Sequence, residues 1–206
     1  MRPGRIMVLL LSVGWWGCHP ARLVETRPWL GPKVSEFDLL EKAPAERHLL
    51  YGLAYESQGE LREALRHYQR ASRSESSIAE AYLGMCRIHF LRGRSRKACA
   101  AGRKALNLSP SLYVDLNDFL WNQASLRRPP AMAVRLAHWV VEMAGEDRAH
   151  CLDTLAFIRI QRGELAEAEI ALDEAEKGAE RDPVLKAWIL HHRAAIAEQR
   201  GVARQE

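Results

Sequence analysis

Apolar residues fall along this chain in two different arrangements. Near the start they are contiguous: Ile6 to Val13 is broken only by Ser12, and Gly14-Trp15-Trp16-Gly17 extends the run. Ile6 to Gly17 is too short to cross a hydrocarbon core of ~30 Å at 1.5 Å per residue, and it has the length of a signal-peptide h-region. Arg2 and Arg5 supply the positive n-region before it. Further along, apolar positions are spaced as on one face of a helix. Ser35 to Lys42 places Phe37, Leu39 and Leu40 behind a Ser35 N-cap. After Asp182-Pro183, an N-cap followed by a proline at the first helical position, Leu185, Trp188, Ile189 and Ile196 line a segment expected to run to Arg200 and stop at Gly201.

Between these segments the chain restates itself. Gly59, Ala64 and Ala71 recur 34 residues later as Gly93, Ala98 and Ala105, and again as Gly163, Ala168 and Ala175. Each unit reads as two antiparallel helices. Glycine serves the turn, where a positive φ is needed. Alanine early in the second helix lets the two backbones approach. Tyr51-Gly52, Tyr55, Gly59, Ala64, Tyr68 and Ala71 form the fullest unit, and Tyr82, Gly93, Ala98, Ala105 and Pro110 form the second. Cys86 and Gly102 depart from the pattern there. The third unit has Leu116 to Trp121, then Arg127-Arg128-Pro129-Pro130 in place of a glycine turn, then Ala133 and Ala137. The fourth has Leu152, Leu155-Ala156, Gly163, Ala168, Leu172 and Ala175.

These residues resemble the tetratricopeptide repeat. The resemblance implies an all-α, superhelical solenoid of about four helix-turn-helix units, at about 45–78, 79–112, 114–147 and 149–182. Residues 184–206 then form a capping helix and tail, as a solenoid's exposed end requires. Gly17-Cys18 at the end of the h-region resembles a bacterial lipoprotein signal, with Trp15 and Trp16 where that family favours leucine and a small residue. The resemblance implies cleavage after residue 17 and lipidation of Cys18. His19 occupies the place where Asp is the usual inner-membrane retention signal, which points to an outer-membrane lipoprotein facing the periplasm. Cleavage after Gly14 by an ordinary signal peptidase and an uncleaved membrane-associating terminus are the alternatives. Residues 18–44, with Pro20, Pro28, Gly31, Pro32 and Pro44, read as the anchor cysteine and its tether.

Composition adds little to fold and something to function. The 206 residues are 48% hydrophobic and 27% charged, which suits a globular chain, and only 7% are aromatic. The formal net charge is +4, falling to +2 if residues 1–17 are removed, and it gives no reason to expect a nucleic-acid partner. A catalytic motif is not evident: there is no phosphate-binding glycine loop, Gly-x-Ser-x-Gly elbow or His-Glu-x-x-His. No enzyme activity, cofactor, metal or small-molecule substrate is expected. His191 and His192 point apart on a helix and read as surface histidines. Cys86 and Cys99 are readable as core thiols or, less favoured, as a disulfide in an exported protein.

Arg92, Arg94, Arg96, Lys97, Arg103 and Lys104 cluster around one turn and helix. A solvated convex face is the preferred reading over a patch for phospholipid headgroups, anionic glycan or an acidic partner. The family's ligand surface is the concave groove of first helices. Its places fall here on Leu49, Leu53, Glu56, Leu83, Arg87, Phe90, Asp118, Asn122, Asp153, Phe157 and Ile160. An apolar stripe of this kind suits a helix or extended segment of another envelope protein, or the chain's own Ser35–Lys42 segment. The expected function is a non-catalytic scaffold, tethered to the membrane through its lipid, that assists a secretin or pilus, motility or export complex. A soluble adaptor or regulatory subunit without lipid is the alternative.

Overall fold

A computed structural model describes residues 44–74 and 78–202. The signal segment, Cys18, the tether and the Ser35–Lys42 helix lie outside the described residues. Among those described there are nine α-helices and no strand. They run α1 (Pro44–Ser57), α2 (Leu61–Ala71), α3 (Ile78–Leu91), α4 (Ser95–Leu108), α5 (Tyr113–Leu126), α6 (Ala131–Met143), α7 (Arg148–Arg162), α8 (Leu165–Gly178) and α9 (Pro183–Val202). Consecutive helices pair as α1/α2, α3/α4, α5/α6 and α7/α8, and each pair packs on the next. The fold is thus all-α, with pairs of helices stacked in chain order as in a helical repeat.

Three of the four turns are built alike. Gly59, Gly93 and Gly163 have φ of 78°, 67° and 78°. At each, the glycine N–H donates three residues back and the next N–H donates five back: Gly59 to Glu56 and Glu60 to Tyr55, Gly93 to Phe90 and Arg94 to His89, Gly163 to Ile160 and Glu164 to Arg159. This is the Schellman arrangement, which satisfies the last carbonyls of the first helix. The carbonyl of the residue after glycine then opens the second helix by accepting from Ala64, Ala98 or Ala168. The 34-residue offset therefore places both the turn and the alanine that follows it.

Those alanines are where the helices meet. Ala64, Ala71, Ala98, Ala105, Ala168 and Ala175 are all 0% exposed. The third pair lacks a turn glycine and uses extended backbone at Arg127 and Pro130. Arg162 of the fourth pair holds that turn, its Nη1 donating to the Pro129 carbonyl at 2.9 Å. Asp182 caps α9 as its sequence predicts: its Oδ1 accepts from the Val184 and Leu185 N–H groups at 3.0 and 2.9 Å. The helix runs through Gly201 to Val202, past the expected stop, because no left-handed residue ends it there.

The two departures in the second pair explain one another. Gly102 stands one repeat after Tyr68, and a Cβ on it would lie 2.7 Å from Leu136 Cδ2 and 3.0 Å from Cys86 Sγ. The space that Tyr68 fills in the first pair is filled in the second by the Cys86 sulfur and the Leu136 methyl. Cys86, Cys99 and Cys151 are free and buried, so Cys86 and Cys99 do not form a disulfide. Burial pushes the Cys86 and Cys151 thiols up to about 12 and raises that of Cys99. Since the thiolate is the nucleophile, a Cys18→Ser chain should resist iodoacetamide near pH 8 and take up three equivalents only once unfolded. Rapid labelling of the native protein at any of the three would contradict the packing described.

Candidate partner-binding face

The residues expected along the groove fall into a set described by burial alone and two sets held by their own neighbours. Leu83 and Phe90 of α3 and Ile160 of α7 are core residues, between 1% and 3% exposed. Phe90 meets Phe119 of α5 edge to face, with centroids 5.2 Å apart, and so joins the second pair to the third. Leu49 and Leu53, one turn apart on α1, are half-buried against the core. Asp118 and Asn122, one turn apart on α5, are exposed.

A second group is occupied by its own neighbours. Arg87 of α3 grips Glu56 of α1 with both forks, Nε to Oε1 and Nη2 to Oε2, each at 2.8 Å. The Tyr68 hydroxyl donates to the same carboxylate from α2 and accepts from Arg87 Nη2 at 3.3 Å. The two charged side chains are 14% and 10% exposed. Burial and the Glu56 charge hold the Tyr68 phenol far above its ordinary range. Bidentate geometry and three helices make this network a register lock between the first two pairs. Breaking one partner would leave a buried charge, a cost of about 3–5 kcal/mol.

The third group lies under α9. Asp153 of α7 is 4% exposed and accepts from His192 Nδ1 at 2.7 Å. His192 is 3% exposed, so it is an internal residue and not the surface histidine expected. Its ring stacks on Phe157 at 5.3 Å and 19°, with Trp121 and Trp188 at 5.8 and 6.0 Å. Phe157 in turn lies 4.5 Å from Trp121. The cap helix therefore fills the end of the row where Asp153 and Phe157 would have met a partner. A local signal existed: Leu185, Ile189, His192 and Ile196 are spaced four, three and four, on one helical stripe, and all are buried. His191, beside it, is exposed.

What remains at the surface is mixed: Leu49 and Leu53, partly covered, then Asp118 and Asn122. It is less apolar than the sequence suggests, because the largest apolar side chains of the set are spent on packing. Among the described residues no group of three or more His, Cys, Asp or Glu is placed to hold a metal ion. Nor is any described helix long and apolar enough to cross a membrane. In comparisons with known proteins, no family model, no curated relative and no solved structure matches this chain.

Proposed function

We propose that the chain is a non-catalytic, protein-binding scaffold built on tetratricopeptide-like repeats. It is held at a bacterial membrane by lipid on Cys18 and assists assembly or function of an envelope complex. The observation that supports binding most directly is the repeated Schellman turn and buried-alanine pattern, which stacks helix pairs so that successive first helices present side chains in a row. Leu49, Leu53, Asp118 and Asn122 are the members of that row with surface left to offer. Lipid anchoring would raise the local concentration of such a scaffold near its partners.

The reading makes two separable demands. A photo-crosslinker at Leu53 or Asn122 should trap a defined partner in the native envelope, while one at Gln69, exposed on α2, should not. Equal trapping at all three positions, or none at Leu53 and Asn122, removes the face. Independently, Cys18→Ala should abolish labelled-palmitate uptake and release the protein from membranes. A mutant that stays membrane-bound with undiminished label removes the anchor.

A further inference from the structure

From Ala81 to Val114, one whole repeat of 34 residues, there is no aspartate or glutamate, and there are seven lysines and arginines. The fold turns most of them to one side. Ala98, Cys99, Ala101, Gly102, Ala105 and Leu106 form the inward face of α4, leaving Arg96, Lys97, Arg103 and Lys104 exposed. These are two cationic pairs seven residues apart, about 10 Å along a helix rising 1.5 Å per residue. Arg94, Ser95, Arg96 and Lys97 line an open concavity at the start of α4, and Arg135 of α6 reaches in to donate to Ser95 Oγ at 2.6 Å.

Toward the C-terminus, cations and carboxylates are paired. The acidic helix α8 is tied down by Arg148 to Glu174, Arg193 to Asp173 and Glu176, and Arg200 to Glu169. Among the described residues, Arg92, Arg94, Arg96, Lys97 and Arg103 have no such ion pair. Burial and then Lys97, Arg94 and Arg92 also hold the nearby His89 ring below its ordinary pKa. A face of like charges costs folding stability through self-repulsion, a cost that an anionic surface would relieve.

We propose that the outward face of α4, with Arg92 and Arg94 of the preceding turn, docks the domain on anionic phospholipid headgroups. Three features favour a lipid surface over another polyanion. Aromatic rings flank the cations: Lys104 Nζ sits 4.1 Å over Tyr82, and Arg103 lies 5.8 Å over Trp139, as amphipathic rings and long cations do at membrane interfaces. Leu108, 46% exposed, continues the stripe with apolar surface. The recognition elements lie along a helix flank, and each ring already carries one of the cations, Lys104 Nζ also donating to the Tyr82 hydroxyl at 2.7 Å. Glu142 shares a shallow recess with Arg103 and Trp139 and marks the edge of the face. The inference draws on the proposed anchor only to bring the domain near a bilayer; one weak patch and one lipid signal together give stable attachment.

The test uses the full chain carrying Cys18→Ser, so that no acyl chain contributes. Vesicles of phosphatidylcholine alone are compared with vesicles one-third phosphatidylglycerol. The anionic vesicles should bind more tightly, and salt near 1 M, where the Debye length is about 3 Å, should erase the difference. Substituting Arg96, Lys97, Arg103 and Lys104 by Gln should cost about fivefold per cation, two orders of magnitude or more in all. A charge-matched variant, Gln at Arg62, Arg66, Arg70 and Arg73, should bind as the parent does, and both should keep parental helicity. Equal losses in the two variants, equal binding to the two vesicles, or displacement by polyglutamate or single-stranded RNA at lower charge concentration than lipid would overturn the proposal. Failure of the palmitate experiment would remove the anchor and leave this readout untouched.

Discussion

Replacing Asp153 with Leu should lower stability by about 2–3 kcal/mol, the cost of leaving a buried hydrogen-bonding group without its partner. Asp153 and His192 are each under 5% exposed, and their 2.7 Å hydrogen bond is closed on its other sides by Phe157, Trp121 and Trp188. Without the carboxylate, the His192 Nδ1–H has no alternative acceptor in that apolar surround. For a domain of this size the loss corresponds to a fall in Tm of roughly 10 °C. His192→Phe alone should be similarly damaging, because it strands the Asp153 carboxylate. Asp153→Leu with His192→Phe should be far milder than the two losses added, since replacing a whole buried pair by apolar side chains is often neutral. Amide exchange should show where the single variants fail: protection in α9 should drop first, because the pair pins α9 to α7. A single variant costing under about 1 kcal/mol, or losses that simply add, would falsify the pairing as a determinant of how the cap is seated.

This pair also shows what a sequence can carry and what it cannot. The 34-residue repeat of Gly59, Gly93 and Gly163, with their alanines, was legible because each residue acts through its own backbone: a left-handed turn, then a close approach one helical turn later. The Asp182 cap was legible for the same reason. The groove was not. Repeat position places a residue on a first helix, but whether it is free depends on what later covers it. Asp153 is covered by a side chain 39 residues away, and nothing near Asp153 announces that. Phe90 and Leu83 were expected to face a partner and instead lie inside, Phe90 against Phe119 of the third pair. The basic repeat was visible as a cluster, but its meaning changed once the structure showed α8 paired with its cations and the exposed cations of α4 gathered on one face.

Gly84→Ala should destabilise by about 2 kcal/mol or more despite ordinary helix propensity favouring alanine by roughly 1 kcal/mol. The Tyr68 ring lies between two glycines of successive first helices. A Cβ on Gly84 would meet its Cε1 and Cζ at 2.5 Å, and one on Gly52 would meet Cε1 at 2.6 Å. A ring can usually give way to a methyl group, but this one has nowhere to go. It is 0% exposed, its hydroxyl donates to Glu56, and Arg87 closes the far side. Moving it therefore disturbs the bidentate pair that joins α1 to α3. Gly59→Ala is the informative comparison, because its Cβ meets nothing within 4 Å and only its φ of 78° is costly. That variant should lose about 1–2 kcal/mol, the penalty of a left-handed alanine. Asparagine, which tolerates that conformation, should recover part of the loss at 59 but none at 84. Combining Gly84→Ala with Tyr68→Leu should restore part of the stability, since a smaller side chain vacates the clash, as happens one repeat later where Gly102, Cys86 and Leu136 share the same space. Thermal and urea unfolding of these five variants beside the parent would measure this. If Gly84→Ala proves neutral or stabilising, or if Tyr68→Leu makes it worse, then Tyr68 is not the wedge that sets the spacing between the first two helix pairs.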